Sequence, residues 1–132
     1  MTTTRQSLIP IVVYADIAAA HDFLVERFGF DSGGLHRDDE GQVDHGEVSV
    51  QGQVIWLHRV LLEFGLTSPK TQGAFTGMLA VVVDDVDGHH ARLKYTDTAI
   101  ESGPADQPYG FREYSAHGPD RSIARAGLCP GR

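Results

Sequence analysis

The sequence predicts an α+β domain made of two tandem βαβββ modules, and three observations lead to this prediction. An apolar stretch from Ile9 to Tyr14 is followed by Asp16 and then by apolar residues at helical spacing. The same pattern returns 69 residues later, where the apolar stretch from Met78 to Val83 precedes Asp85 and a second helical pattern. Strand-like stretches follow each predicted helix, so we expect two similar halves.

The first module is predicted over residues 8–60. Asp16 is the expected N-cap of its helix, because a carboxylate at this position accepts hydrogen bonds from the free amides of the first turn. Gly29 is expected to end the helix in the left-handed conformation. Pro10 has no N–H to donate, which favours an edge position for the first strand. The strands are expected at residues 8–14, 30–36, 43–50 and 54–60.

A polar, breaker-rich linker is predicted over residues 61–73, and the second module over residues 74–126. This module is expected to contain strands at 75–83, 99–102 and 109–116, a helix at 86–94 and a loop at 103–108. The tail from His117 to Arg132 has few strand-like residues, and only Ser122 to Ala124 looks able to pair. The final strand is therefore the least certain element of the pattern.

Composition narrows the classes of function. A chain of 132 residues with 41% apolar residues forms one globular domain, residues 1–132, able to bury a core. A net charge of −7 argues against a nucleic-acid partner and suits a cationic ligand. No apolar run approaches the roughly 20 residues of a membrane span. The polar start and the single Cys129 lead us to expect a cytoplasmic protein.

Several local stretches resemble the glyoxalase / bleomycin-resistance / dioxygenase superfamily, also called the vicinal oxygen chelate fold. They are Ile9–Ile17 followed by Phe28-Gly29-Phe30, the stretch Val54–Leu57, and the loop and strand at residues 103–114. The resemblance covers residues 8–116 and implies eight strands curled into a cup, with the helices outside. It also implies a homodimer, because the family builds its cups beside shared sheet edges.

In the enzymes of this family, a divalent metal is held by the first and fourth strands of each half. The resemblance places these positions at Ile9, Trp56 and Met78, with Arg125 as the fourth by the same offset. None of these side chains is a competent ligand for a hard divalent cation or zinc. We therefore expect no cofactor and no catalytic residues, although the family's enzymes leave a divalent metal as the alternative.

The candidates for ligand binding are mainly aromatic and apolar residues, and Ile9 and Met78, from the two opening strands, are expected to converge near Trp56 and exclude water. Trp56 has the inward parity of the family position and is either an aromatic floor for a planar or cationic ligand, or a core residue. Four further candidates lie behind the Gly/Pro loop of the second module: Tyr109, Phe111, Arg112 and Tyr114. Arg112 either pairs with a ligand carboxylate or pairs within the protein with Glu113 or Asp106.

The alternative metal site consists of His45, Glu47 and His58, which fall on two predicted neighbouring strands. They could bind a metal or act as acid and base if their faces coincide. His89 and His90 are adjacent on a helix and point about 100° apart, so they are expected to be structural or solvent-facing. Cys129 has no spacing that suggests a nucleophile.

These observations favour a metal-independent protein that binds a small, aromatic or cationic molecule, as the drug-sequestering bleomycin-resistance relatives do. The alternative is a metal-dependent lyase, isomerase or dioxygenase that uses displaced ligands. A third possibility is a module without any ligand. Neither nucleic acid nor membrane is an expected partner, and we expect a homodimer.

Overall fold

A computed structural model of the chain describes residues 7–74, 76–119 and 123–128. The strands are β1 (Ile11–Val13), β2 (Asp31–Arg37), β3 (Val43–Val50), β4 (Gln53–His58), β5 (Leu79–Val82), β6 (Ala99–Asp106), β7 (Arg112–His117) and β8 (Ile123–Leu128). The helices are α1 (Ile17–Glu26), α2 (Pro69–Gln72) and α3 (Val86–Lys94), and a 3-10 turn spans Leu62–Phe64.

The described strands form two four-stranded mixed sheets and no closed barrel. The first sheet has the order β1-β4-β3-β2 and the second has the order β5-β8-β7-β6. In each sheet the first strand of the module is parallel to its last strand, and the other neighbours are antiparallel. The predicted fold class, two tandem βαβββ modules, is confirmed.

The 69-residue repeat holds at the level of strand register. Ile11 is aligned with Trp56 in the first sheet, and Ala80 is aligned with Arg125 in the second. Both pairs are related by the offset that the sequence pattern predicts. Arg125 therefore lies at the position equivalent to Trp56, with no slip of register in the tail.

Both helices begin as predicted. The Asp16 carboxylate accepts a hydrogen bond from the Ala19 amide at 3.0 Å, and the Asp85 carboxylate accepts one from the Gly88 amide at 2.9 Å. These bonds satisfy donors that the first helical turn leaves free. The end of α1 differs, because the helix stops at Glu26 and the chain then reaches Gly29, whose φ of 75° is in the left-handed region.

The tail contributes more structure than its composition predicts. β8 runs from Ile123 to Leu128 between β5 and β7, although Ala and Gly are poor strand formers. Ala126 is fully buried against the helix side of the sheet, where the small side chain leaves room for the ring of Tyr114 opposite it. Tertiary pairing overrides the weak local preference here. Ser122 and Cys129 lie outside the described residues.

The loop predicted at residues 103–108 is also partly a strand. β6 continues through Gly103 and Pro104 to Asp106. It is the edge strand of its sheet and changes register between Ser102 and Ala105. An edge strand with an irregular register tolerates a proline, because the missing N–H removes no bond to a further neighbour.

The core lies on the helix sides of the two sheets. A Cβ atom added at Gly46 would lie 3.0 Å from Ile17 of α1, so this helix crosses directly over β3. The Phe28 ring, just after α1, lies 4.8 Å from the His89 ring and 6.4 Å from the Tyr114 ring. The two modules therefore share one core, and the buried His89 belongs to it.

Candidate functional site

In the described part of the chain, each sheet has one face that no helix covers. In the first sheet, α1 covers the face that carries Leu57 and Val48, both fully buried. Side chains alternate along a strand, so the residues between them point to the other side. The register aligns these residues across three strands. We call this surface the first open face: Ile11, Val13, His45, Glu47, Trp56 and His58.

Trp56 lies at the centre of the first open face. Its side chain is held in place, because the indole Nε1 donates a hydrogen bond to Glu47 Oε1 at 3.0 Å. The His45 ring packs against the indole at a centroid distance of 5.5 Å, nearly edge-on. Trp56 nevertheless keeps 37% of its surface exposed. It is therefore not a core tryptophan, and its ring is available for contact from outside the chain.

Glu47 is positioned by two neighbouring strands. It lies opposite Trp56 on β4, and its side chain crosses the backbone of β2 at Gly33. A Cβ atom at Gly33 would lie 2.8 Å from Glu47 Cβ and 2.5 Å from Oε2, so only glycine leaves room for this arrangement. Sequence reasoning named Glu47 as a metal ligand or an acid–base group, not as a partner of Trp56. The signal for its role beside Trp56 was the tight Gln51-Gly52 turn, which sets the β3–β4 register.

The three residues of the alternative metal site do share one face. They are not assembled around a common point, however, since His45 packs on Trp56, Glu47 accepts from the indole, and the His58 Nδ1–H donates to the Arg59 carbonyl at 2.7 Å. In the part of the chain that the structure describes, no group of three or more His, Cys, Asp or Glu side chains is placed to hold a metal ion.

The corresponding surface of the second sheet is the second open face: Ala80, Val82, Glu113, Ser115 and Arg125. Here Arg125 replaces the indole of the first sheet. Its Nε donates to Ser115 Oγ at 3.0 Å, and its Nη1 lies 3.4 Å from Glu113 Oε1. The Glu113 carboxylate also accepts from the Tyr109 hydroxyl, and this hydrogen bond raises the pKa of Tyr109. The charges on this face are thus paired with each other.

The candidates on and before β7 separate onto two sides of the sheet. Tyr109 reaches Glu113 on the second open face, and Phe111 lies beside Gly127, where an added Cβ would be 3.2 Å from the Phe111 ring. Arg112 and Tyr114 point to the helix side instead. Successive side chains of a strand point to opposite sides, so these residues could not all share one face. Grouping the four residues by their closeness in sequence overlooked this.

Arg112 is occupied by partners within the protein. It donates to the two oxygens of Asp87 on α3 at 3.0 and 2.8 Å, and to Asp106 at 3.2 Å. These bonds raise the pKa of Arg112 and lower that of Asp87. Of the two interpretations of Arg112, pairing within the protein is the one found. Tyr114 is 1% exposed and hydrogen-bonded to His89, and burial raises its pKa to about 12.

Ile9 lies close to Trp56 along the chain pairing, since the Trp56 amide donates to the Pro10 carbonyl at 3.0 Å, yet the two side chains do not line one cavity. Ile9 lines a cavity of about 780 Å³ between the modules, formed by residues 7–10 and 50–55, Phe30 and residues 79–82. None of the described residues that line this cavity is charged. Neither Trp56 nor Met78 lines it, and Met78 is 49% exposed. Ile9, Trp56 and Met78, which were expected to converge, therefore do not line one enclosed pocket within a single chain.

Known structures share this fold across almost the whole chain. TioX from Micromonospora sp. ML1 has a TM-score of 0.72 at 22% identity, covering 95% of this chain and 99% of its own. TnmS3, an antibiotic binding protein from Streptomyces sp. CB03234, has a TM-score of 0.67 at 24% identity, covering 98% and 99%. The bleomycin-binding protein from Streptomyces verticillus, complexed with copper(II)-bleomycin, has a TM-score of 0.64 at 18% identity, covering 96% and 98%.

These likenesses establish the fold. Other similar structures are members of the glyoxalase / bleomycin resistance / dioxygenase superfamily, including one from Sphaerobacter thermophilus with a TM-score of 0.69 at 19% identity, covering 95% of this chain and 98% of its own. No protein-family model matches the chain, and no curated protein matches it. Among the described residues, no helix is long and apolar enough to cross a membrane.

Proposed function

We propose that this chain, which has the fold of the glyoxalase / bleomycin-resistance / dioxygenase superfamily, is a metal-independent small-molecule binding protein. The observation that carries the proposal is Trp56, a tryptophan held by Glu47 yet exposed at the centre of an uncovered sheet face. An exposed indole of fixed orientation is suited to stack on a planar ligand. The names of two similar structures, an antibiotic binding protein and a bleomycin-binding protein, support this class of ligand.

The residues at the family's metal positions support independence from metal. Ile9, Trp56 and Met78 offer no hard donor atom, and Arg125 is a cation engaged with Glu113 and Ser115. A ligand at the first open face would meet the apolar Ile11 and the aromatic Trp56, with the Glu47 carboxylate beside the ring. Stacking and desolvation are then the main sources of affinity.

A screen with Trp56 emission as the signal tests the proposal. Planar cationic and neutral polycyclic compounds are titrated with and without a chelator, and ligands should shift or quench the emission equally in both conditions. Replacing Trp56 with Leu removes the single tryptophan and its emission, so the affinity of this variant is measured by isothermal titration. The variant should preserve the fold and weaken binding by roughly 1–3 kcal/mol if the ring is an anchor. A Trp56 that responds to no compound, together with no thermal stabilisation by any of them, would contradict the proposal.

We also propose a homodimer in which a second copy covers part of the open faces. Apolar side chains of the edge strands remain uncovered, with Ile11 52% exposed and Val82 68% exposed. Among the described strands, β1 and β5 each have one edge without a neighbouring strand, and such edges favour a cover. Light scattering should give twice the 14.4 kDa of one chain. A monomer at high micromolar concentration would count against the dimer.

One observation favours the second candidate, a metal-dependent enzyme: His45, Glu47 and His58 do share the first open face. Rotation of their side chains would be needed to bring them together. Elemental analysis of gently purified protein separates the candidates, since binding without metal predicts well under one ion per chain. A full equivalent of metal that is lost in His58→Ala would favour the enzyme. The cytoplasmic location stays a prediction from the sequence.

A further inference from the structure

The contacts of the Glu47 carboxylate fix its position but occupy only part of its capacity to accept hydrogen bonds. One of its oxygens accepts from the Trp56 Nε1–H, and the side chain is confined against the Gly33 backbone. An ionised carboxylate has about four lone-pair sites, and the indole fills one of them. The remaining sites lie beside a partly exposed aromatic ring. The pair therefore presents a charged acceptor and a π-face at a fixed separation.

The charge of Glu47 is not compensated within the described part of the chain. No ion pair found among those residues includes it. The carboxylate of the second open face, Glu113, provides the comparison, because Arg125 and Tyr109 occupy it and leave it only 7% exposed. The internal repeat has placed Arg125 where the first module has Trp56. Only the first open face thus retains an available negative charge.

We infer that Glu47 and Trp56 together select an organic cation carried on a planar aromatic ring, an inference that rests on the proposed binding function. The cation lies over the indole face, where the ring quadrupole attracts it. The neighbouring carboxylate supplies the opposite charge, which acts more strongly beside apolar surface than in open water. Ile11, aligned with Trp56 on β1, supplies that apolar surface. The overall charge of −7 favours approach of the cation.

Two probes of the same shape test the inference: N-methylacridinium, which is a cation, and N-methylacridone, which is neutral. Isothermal titration should show that the wild-type protein binds the cation about tenfold more tightly than the neutral probe. Glu47→Gln keeps the shape and can still accept from the indole but carries no charge. This variant should lose most of the preference for the cation and keep only the part that the Trp56 ring supplies, because its affinity for the cation falls more than its affinity for the neutral probe.

A second variant and a control sharpen the test. Gly33→Ala leaves the carboxylate in the protein but displaces it, since the new Cβ would lie within 2.8 Å of Glu47 Cβ. It should also reduce the preference for the cation. Glu101→Gln removes the same charge from an exposed position on β6 and should keep the preference. Circular dichroism and thermal unfolding establish that each variant is folded before its affinities are compared.

The outcomes separate this inference from the proposed function. Equal binding of both probes by the wild-type protein, or an undiminished preference in Glu47→Gln, overturns the inference and leaves the binding function intact. Loss of the preference in Glu101→Gln as well overturns it too, because the effect would then come from net charge alone. If neither probe binds and no compound in the screen shifts Trp56 emission, both the inference and the proposed function fail.

Discussion

The two open faces occupy equivalent positions in the two modules but differ in how their charges are satisfied. The first carries Trp56 and a Glu47 carboxylate whose charge has no cationic partner among the described residues. The second carries Arg125 at the position of Trp56, and its Glu113 is buried in a network with Arg125 and Tyr109. One exchange within a repeated register thus separates a face with a partly exposed indole from a face whose charged side chains pair with each other.

The largest expected effect comes from breaking the network of the second open face. Arg125→Met leaves Glu113, which is 7% exposed, without its cationic partner. We expect a loss of about 2 kcal/mol in the free energy of unfolding, reduced from the value for a fully buried pair because Arg125 is partly exposed. Urea denaturation measures it. Adding Glu113→Gln removes the buried charge that Arg125→Met leaves without a partner, so the double variant should recover part of the lost free energy of unfolding. A further, additive loss in the double variant would show that Glu113 and Arg125 do not interact.

A second test concerns the core that both modules share rather than the open faces. Burial lowers the pKa of His89, with the charge of Arg92 as a smaller cause. The folded state then binds fewer protons than the unfolded state just below the ordinary pKa of 6.5, so the stabilising contribution is present above that pH and is lost as pH falls. One such group changes the free energy of unfolding by at most about 1.4 kcal/mol per pH unit.

Denaturation curves from neutral to mildly acidic pH check this prediction. The wild-type protein should lose stability as the pH falls, and His89→Gln should reduce that dependence because the titrating group is gone. His90→Gln, on the same helix, is the matched control and should retain most of the wild-type dependence. If the free energy of unfolding depends equally on pH in the wild-type protein and in His89→Gln, burial of His89 does not disfavour its protonated form.

The smallest effect on stability is expected at the first open face. Glu47→Gln preserves an acceptor for the Trp56 indole and removes a partly exposed charge, so the free energy of unfolding should change by less than about 1 kcal/mol. Urea denaturation beside the Arg125→Met variant makes the comparison direct. An equal loss in the free energy of unfolding for Glu47→Gln and Arg125→Met would show that the first open face stabilises the fold as the second does. The proposed difference between the two faces would then be wrong.

The sequence alone determined the features that depend on local pattern. The repeated apolar stretch, the acidic cap and the helical spacing predicted both modules, the starts of α1 and α3, and the offset that relates Trp56 to Arg125. These features are readable because strand alternation and helix capping act over a few residues. The face of Trp56 was not among them, because its inward position came from the family resemblance and a core position stayed open.

The tertiary structure decided what depends on contact between strands distant in sequence. The weak tail forms β8 because β5 and β7 lie on either side of it, and Glu47 becomes the partner of Trp56 because cross-strand register brings them together. Arg112 lies on the helix side by strand alternation, and its partner there, Asp87 of α3, is brought to it by tertiary packing. Composition and periodicity cannot predict such pairings. A pairing between strands stabilises the fold only once the fold has brought the two strands together.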